Sequence, residues 1–251
     1  MSQKSLVQSQ FGTHAANYVA SRSHATGASL ARMIELLQPR KDWRVLDVAT
    51  GAGHMALTLA PLVHEVIASD LTPQMLEQTR TLAVDRGITN LAVEQAEAES
   101  LPFGDASFDL VTCRLAAHHF DDVIRFVSEV FRVLKPGGVF GLVDNVSPEG
   151  VANAAYNAFE KLRDPSHGYC LTLNEWKSAI TQQGFQVRHS ETIEKPMDFE
   201  AWTEQMSVTA PVRAELRAMF GAPALAAYLK PDADATEFVL TEGLVIADKP
   251  K

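Results

Sequence analysis

The stretch that decides the fold runs from residue 45 to residue 54 and reads Val45-Leu46-Asp47-Val48-Ala49-Thr50-Gly51-Ala52-Gly53-His54. Its first residues are apolar apart from Asp47, which is typical of a strand that helices cover on both faces. Gly51 and Gly53 then allow a tight turn in which the backbone can approach a ligand, before a helix begins. Such a turn also occurs without a ligand, so this stretch alone predicts a place in a fold and not a function.

Strands and helices alternate on both sides of this stretch, which implies right-handed crossovers and a largely parallel sheet. The predicted strands are residues 44–48, 65–69, 91–94, 108–113, 139–143, 185–190 and 237–246. The predicted helices are residues 54–62, 73–86, 122–134, 152–162 and 173–183, while residues 11–38 are mostly helical and residues 199–228 form a helical insertion. The sequence therefore predicts an open α/β fold.

The same pattern predicts one domain over residues 1–251. We expect an N-terminal helical segment over residues 1–38 and a cofactor-binding core over residues 39–147. The C-terminal part, residues 148–251, contributes the last strands and a helical cap over residues 198–234. An insertion of this size between two strands is expected to cover the ligand crevice.

Composition narrows the classes of partner. The 251 residues include 31 acidic and 22 basic side chains, for a net charge of −9, and no Lys/Arg cluster favours binding to nucleic acid. The two cysteines form no CxxC motif and the histidines have no metal-ligand spacing, so no metal is predicted. The polar N-terminus and the lack of a long apolar run predict no secretory signal, no membrane span and a cytoplasmic protein. The sequence leaves open whether the protein forms a homodimer.

Two carboxylates at strand ends indicate the kind of cofactor. Asp47 stands just before the glycine turn, where it would repel the pyrophosphate of a dinucleotide but attract the sulfonium and ammonium groups of S-adenosyl-L-methionine. Asp70 ends the second strand, where a carboxylate can bind both ribose hydroxyls. The sequence predicts S-adenosylmethionine as cofactor and S-adenosyl-L-homocysteine as its product. A nicotinamide-dependent oxidoreductase and a cofactor-binding module without turnover are the alternatives.

Four motifs in combination resemble the class I S-adenosylmethionine-dependent methyltransferases. They are VLDVATGAG at residues 45–53, ASD at 68–70, AEAESLPFGDASFDLV at 96–111 and RVLKPGG at 132–138. The sequence looks most similar to the small-molecule group that includes the ubiquinone/menaquinone-biosynthesis C-methyltransferases. The resemblance implies a Rossmann-like, doubly wound sheet of seven strands, the last of them antiparallel.

The resemblance also implies a set of cofactor-binding residues. Those expected at the methionine and ribose end are Asp47, Thr50, Gly51 and Gly53, with Tyr18 in a segment that folds over the methionine in relatives. Asp70 is expected on the ribose hydroxyls, Leu71 and Met75 on the adenine, and Glu97 and Ala98 at its amino edge, while Arg114 faces the crevice. Glu97 stands where relatives usually have Asp, and the glutamates at 94, 97 and 99 alternatively form a solvated acidic loop.

Two histidines after the fourth strand are candidate bases for an in-line methyl transfer to a small organic molecule. His118 and His119 lie in a segment that faces the crevice, and imidazole titrates near neutral pH. Some similar methyltransferases use a histidine here together with an Asp at the end of the fifth strand, which would be Asp144. We expect His119 to pair with Asp144, with His118 as the competing candidate. Alternatively, His119 caps the next helix and His118 packs against the sheet.

The substrate is indicated only weakly. Arg163, His167 and Tyr169 could bind an anionic group or form a surface turn. Several large side chains of the cap predict a partly apolar substrate pocket, or they form the core of the cap itself: Trp202, Met206, Met219, Phe220 and Tyr228.

Overall fold

A computed structural model describes residues 2–20 and 27–251, with the side chains of residues 13–20 outside that description. The helices are α1 (Gln3–Ala20), α2 (Ala28–Leu37), α3 (His54–Leu59), α4 (Pro73–Asp85), α5 (Val123–Val133), α6 (Asn153–Arg163), α7 (Leu173–Gln182), α8 (Phe199–Glu204), α9 (Ala210–Met219) and α10 (Pro223–Leu229). The strands are β1 (Arg44–Val48), β2 (Glu65–Asp70), β3 (Leu91–Gln95), β4 (Phe108–Arg114), β5 (Leu134–Asn145), β6 (Gln186–Asp198) and β7 (Glu237–Asp248).

The strands form one seven-stranded sheet in the order β3-β2-β1-β4-β5-β7-β6. Strands β1 to β5 are parallel, and β7 runs antiparallel to both of its neighbours. The chain order therefore reverses between β1 and β4, and crevices outside the carboxyl ends of the strands at such a point are where open α/β sheets bind ligands. The predicted doubly wound sheet with an antiparallel last strand is confirmed.

Helices cover both faces of the sheet because the central strands are apolar on both sides. Along β4, Val111 packs with α5 and α7 in one buried cluster, and its neighbour Leu110 packs with α2 and α3 in the other. The second face is close-packed, since a Cβ added to Gly141 would lie 2.6 Å from Met33 Cε. This packing holds the carboxyl ends of the strands in a fixed arrangement.

The three helices between β6 and β7 form a third apolar cluster together with α6. Its largest buried side chains are Tyr156, Phe159, Phe199, Trp202, Phe220 and Phe238. Trp202 stacks on Phe159 with ring centroids 5.1 Å apart. The helical insertion thus has a core of its own, and the division of the chain into segments stays a prediction.

Three elements differ from their predicted bounds by five residues or more at one end. Helix α1 begins at Gln3, eight residues before the predicted start at 11. Strand β5 begins at Leu134 instead of Val139, because Leu134 pairs with Phe108 before a register shift. Strand β6 extends eight residues beyond Ser190 to Asp198.

Two findings bear on the compositional predictions. Cys113 and Cys170 are both buried and carry free thiols. Among the described residues, no helix is long and apolar enough to cross a membrane, and no group of three His, Cys, Asp or Glu side chains is placed to hold a metal ion.

Candidate active site

A cavity opens at the carboxyl ends of β1, β2 and β4 and has a volume of about 1090 Å³, counted out to its open mouth. It brings together nine of the predicted cofactor residues with the candidate base His119; the nine are Asp47, Thr50, Gly51, Asp70, Leu71, Met75, Glu97, Ala98 and Arg114. We call it the first cavity. Gly53 is not in its wall, and the side chain of Tyr18 lies outside the described residues.

Asp47 is buried beneath the glycine turn and has a partner for each carboxylate oxygen. Thr50 Oγ1 donates to Oδ2 at 2.6 Å, and Thr112 Oγ1 donates to Oδ1 at 2.7 Å. Burial raises the pKa of Asp47 to about 6, against the lowering effect of these hydroxyl groups. At neutral pH the carboxylate is ionised, and it adds negative charge to the floor of the cavity.

Asp70 holds two backbone segments in the cavity wall. Its carboxylate accepts the Gly51 N–H at 2.9 Å and the Thr72 N–H at 2.8 Å. Gly51 has a φ of +56°, and no atom lies within 4 Å of where a Cβ would be, so the turn leaves open space above its backbone. The end of β2 therefore fixes the shape of the turn after β1.

Gly53 serves the packing of the turn. Its φ is +82°, and a Cβ would lie 2.6 Å from Thr79 Cγ2 on α4. Thr79 in turn donates to the Gly51 carbonyl oxygen at 2.9 Å. The structure thus separates the two glycines that the motif presents together, since only Gly51 lines the cavity.

Helix α1 closes one side of the first cavity. Lys4 Nζ lies 2.6 Å from Glu97 Oε2, and Gln8 Nε2 donates to the Leu71 carbonyl oxygen at 3.1 Å. Phe11 contacts His119 edge-on, with ring centroids 4.9 Å apart. Sequence reasoning missed these residues, because a polar helix N-terminal to the motifs carries no binding signature.

The acidic loop after β3 is only partly solvated. Glu97 is about half exposed in its side chain and pairs with Lys4, whereas Glu99 is buried. Glu99 Oε1 accepts the Asp121 N–H at 2.8 Å and the Asp122 N–H at 3.1 Å. Glu99 therefore fixes the loop that follows the two candidate histidines.

The backbone is strained where the cavity wall turns after β1 and β4. Ala49 has a φ of +52° and Leu115 a φ of +56°, in the left-handed region that residues with a Cβ rarely adopt. Arg114, between β4 and Leu115, is largely buried, and burial lowers its pKa while Glu242 and Asp47 raise it. Such strain is concentrated at functional sites in proteins.

The structure pairs Asp144 with His118 and not with His119. His118 Nδ1 lies 2.6 Å from Asp144 Oδ1, and the His118 side chain is 11% exposed. Burial lowers the pKa of His118, but the charge and hydrogen bond of Asp144 outweigh it and raise the pKa above its usual value. The prediction that His119 pairs with Asp144 is therefore wrong, because the histidine in contact with Asp144 is His118.

His119 is held differently from its neighbour. Its Nδ1 donates to the Ser166 carbonyl oxygen at 2.9 Å, since a carbonyl can only accept, and its Nε2 is 4.0 Å from Asp164 Oδ2. Burial and the nearby His118 lower the pKa of His119 to about 4. At neutral pH His119 is therefore an uncharged wall residue. Asp122 caps the following helix by accepting from Arg125 N, so His119 is not its cap.

A second cavity of about 560 Å³, again counted out to its mouth, adjoins the first and shares Phe11, Leu115 and His119 with it. The rest of its wall comes from the segment after β4, from β5, α6, the segment after α6, β6, β7 and the cap: His118, Asn145, Glu160, Arg163, Asp164, His167, Lys195, Met197, Trp202, Gln205 and Leu240. Its wall is therefore mostly polar and charged.

The structure divides the predicted substrate residues. Arg163 and His167 line the second cavity, whereas Tyr169 is exposed and donates to Asn153 Oδ1 at 2.6 Å. Of the large cap side chains, only Trp202 lines this cavity. The others pack in the third apolar cluster: Met206, Met219, Phe220 and Tyr228. This supports the alternative in which they form the core of the cap.

The charges of the first cavity fit S-adenosylmethionine. Carboxylates from β1, β2 and the loop after β3 face the cavity, and the lysine and arginine in its wall are Lys4 and Arg114. This balance of charges favours a cationic ligand over a pyrophosphate. Asp70 has lone pairs left for ribose hydroxyls beyond the two N–H groups it accepts. Leu71 and Met75 give the pocket an apolar wall against which the adenine ring can pack. The fold and the site together define a class I S-adenosylmethionine-dependent methyltransferase.

Comparison with known proteins gives the same result. A family model described as "Methyltransferase domain" matches residues 46–142. The chain is 39% identical over 199 residues to the uncharacterized methyltransferase YcgJ of Bacillus subtilis (strain 168), covering 79% of each chain. It is 30% identical over 181 residues to the ubiquinone/menaquinone biosynthesis C-methyltransferase UbiE of Shewanella oneidensis, covering 70% of this chain and 72% of that one.

A solved structure extends the likeness to almost the whole chain. The crystal structure of YcgJ from Bacillus subtilis superposes with a TM-score of 0.85 at 34% identity, covering 89% of this chain and 98% of the other. The protein belongs to the class I S-adenosylmethionine-dependent methyltransferase family. This membership decides against the nicotinamide-dependent alternative.

Proposed function

We propose that the protein methylates a small organic molecule that binds in the second cavity, with His118 as general base. The observation that carries this proposal is the 2.6 Å contact between His118 Nδ1 and Asp144 Oδ1 in a wall of that cavity. When bound, S-adenosylmethionine supplies a methyl group whose bond to the sulfonium sulfur breaks with its electron pair moving to sulfur.

The pairing with Asp144 sets the tautomer of His118. A carboxylate accepts the proton on Nδ1, so the neutral imidazole has its lone pair on Nε2, the nitrogen left for the cavity. Nε2 can then take the proton from the O–H or N–H group of the methyl acceptor, while the oxygen or nitrogen forms its bond to the methyl carbon. Asp144 would stabilise the resulting imidazolium, because its buried carboxylate lies 2.6 Å from Nδ1.

The enclosure of the two cavities supports a small acceptor. Strand ends, α1 and α6 surround them, so a bound molecule would be held between protein walls and not on an extended surface. The net charge of −9 does not favour nucleic acid. The shared wall at Phe11, Leu115 and His119 leaves the cavities adjacent, as a direct transfer between two bound molecules requires.

Labelled cofactor tests this proposal. The protein is incubated with S-adenosylmethionine carrying a radioactive methyl group and with a cell extract separated into a low-mass filtrate, a protein fraction and an RNA fraction. We expect label in the low-mass filtrate only, and His118→Gln protein serves as the matched control. Label in protein or RNA would contradict a small-molecule acceptor, and equal labelling by His118→Gln would remove His118 from the reaction.

A further inference from the structure

The second cavity contains a buried carboxyl group that the protein itself does not satisfy. Glu160 lies on the buried face of α6 and is 4% exposed. Its Oε1 is buried and has no hydrogen-bond partner among the residues that the structure describes. Burial raises the pKa of Glu160, opposed by the charges of Arg163 and His118, which act without a hydrogen bond to it.

The cations around the second cavity are already engaged elsewhere. Arg163 Nε donates to the Trp202 carbonyl oxygen at 3.0 Å, and its Nη2 donates to Gln205 Oε1 at 3.2 Å. Lys195 Nζ pairs with Glu242 Oε1 at 3.2 Å. The two positive side chains that could pair with Glu160 are thus held by other groups.

A second acceptor faces the same cavity. Asn145 Oδ1, at the end of β5 and next to Asp144, is also buried, and no described group forms a hydrogen bond to it. A buried polar oxygen left without a hydrogen bond destabilises the folded protein, so two of them in one cavity wall call for an explanation. A ligand that donates hydrogen bonds would satisfy both, whereas an anionic ligand would meet two further acceptors.

From this juxtaposition we infer that Glu160 binds the substrate by accepting a hydrogen bond from an O–H or N–H group that is not the one methylated. The substrate class is then a small polar molecule with at least two donor groups, one facing His118 and the other on Glu160. This inference rests on the proposed function for the place of the reacting group. It also opposes the anionic substrate that Arg163 and His167 suggested in the sequence, because Arg163 Nε and Nη2 and His167 Nε2 already contact protein acceptors.

Thermal melting of the protein saturated with S-adenosylhomocysteine provides the test. The probes are small aliphatic diols, amino alcohols and aromatic diols, each paired with a counterpart whose donors are capped with methyl groups. We expect donor-bearing probes to raise Tm and their capped counterparts to have no effect. If donor-bearing probes raise Tm no more than the capped ones, the inference is overturned.

Two substitutions of Glu160 and one control locate the effect. Glu160→Met removes the acceptor and should weaken binding of the active probes by ~10–100-fold, because a hydrogen bond to a charged group contributes about 1.5–3 kcal/mol. Glu160→Gln keeps a carbonyl acceptor but loses the charge, so it should weaken binding of either donor less than Glu160→Met does, and weaken an ammonium donor more than a hydroxyl donor. The control Glu204→Gln makes the same carboxyl-to-amide change on the exposed side of α8 and should bind like wild type.

Calorimetry with S-adenosylhomocysteine separates this inference from the proposed function. All four proteins should bind S-adenosylhomocysteine with equal affinity, because Glu160 and Glu204 are outside the first cavity. Equal cofactor affinity also shows that the variants are folded. If wild type fails to bind S-adenosylhomocysteine, the result counts against the proposed function. If Glu160→Met binds the probes as well as wild type does, only the inference about Glu160 is overturned.

Discussion

The two cavities differ in how completely the protein satisfies its own polar groups. In the first cavity, Asp47 and Asp70 accept hydrogen bonds from two hydroxyl groups and two backbone N–H groups. In the second, Glu160 and Asn145 each have a buried oxygen without a partner. The polar groups of the first cavity are therefore held in place by protein atoms, whereas those of the second cavity leave hydrogen bonds for a ligand to make.

The cavities also differ in how the chain builds them. Most of the first cavity comes from short segments directly after β1, β2, β3 and β4. The second combines β5, α6, β6, β7 and the cap, which are separated by up to about a hundred residues. This difference explains why the cofactor can be read from local motifs, while the substrate depends on contacts that only the folded chain brings together.

The largest expected effect tests the histidine that faces the second cavity. His118→Gln should lower kcat by ~10²–10⁴-fold, the usual loss when a proton-transfer group is removed. The affinity for S-adenosylhomocysteine should stay unchanged, because His118 is outside the first cavity. Steady-state kinetics and calorimetry measure the two quantities separately. Tyr169→Phe is the control, since Tyr169 is exposed and outside both cavities.

The pH dependence of the rate sharpens this test. A base is active when deprotonated, so kcat should rise with pH through a value above the ordinary histidine pKa of about 6.5. Asp144→Asn removes the charge that raises the pKa of His118 and should move this limb to lower pH, at a lower maximal rate. If His119→Asn abolished turnover and His118→Gln did not, the role of base would pass to His119.

The next effect tests the first cavity. Asp70→Asn should weaken S-adenosylhomocysteine binding by ~10–100-fold, because hydrogen bonds to a charged group contribute about 1.5–3 kcal/mol and this carboxylate holds two backbone segments. Calorimetry measures the affinity directly. Glu97→Gln is the matched control, and its effect should be smaller because Glu97 is half exposed and paired with Lys4. Equal losses in the two variants would contradict the central place given to Asp70.

The sheet could be predicted well because its buried strands have a strong pattern. The bounds of β1 were predicted correctly, and the seven strands and the antiparallel β7 are confirmed. Strand β6 was predicted eight residues too short. It is an edge strand that pairs only with β7, its exposure alternates, and it contains Pro196. Proline is tolerated at an edge, so a polar stretch with a proline does not look like a strand.

The candidate site could be predicted only where function follows a strand end. Asp70 follows β2, so its place beside the glycine turn was visible in the sequence. The choice between His118 and His119 was not visible in the sequence, because the two neighbouring residues lie in a turn after the strand and the sequence does not define the geometry of that turn. Glu160 and Lys195 carried no signal at all, since a charged residue on a helix or an edge strand is usually solvated.

A smaller effect tests the packing that supports the first cavity. Gly53→Ala should lower the free energy of unfolding by ~1–3 kcal/mol more than a control glycine, because its Cβ would overlap Thr79. The control is Gly87→Ala, where φ is +66° and no atom lies within 4 Å of the added Cβ. Both substitutions force a residue with a Cβ to a positive φ, so their difference isolates the contact with Thr79. Urea denaturation measures both, and equal losses would refute the packing role.

The smallest effect tests the uncharged state of His119, which both cavities share. In the folded protein its pKa is lowered to about 4, first by burial and then by His118, whereas an unfolded histidine titrates near 6.5. Between these two pH values the unfolded state binds the extra proton. His119 therefore makes the folded protein less stable as pH falls from about 6.5 to about 4, by at most ~1.4 kcal/mol per pH unit.

His119→Asn removes this titration while its amide can still donate towards Ser166. We expect urea denaturation of the variant to show a shallower loss of stability below about pH 6.5 than wild type, whatever constant offset the smaller side chain produces. His64→Asn, which removes an exposed histidine, should keep the shape of the wild-type curve. Parallel curves for His119→Asn and wild type would show that His119 is not held neutral. The folded protein would then leave the pKa of His119 at its ordinary value, and the contrast drawn between the two neighbouring histidines would fail.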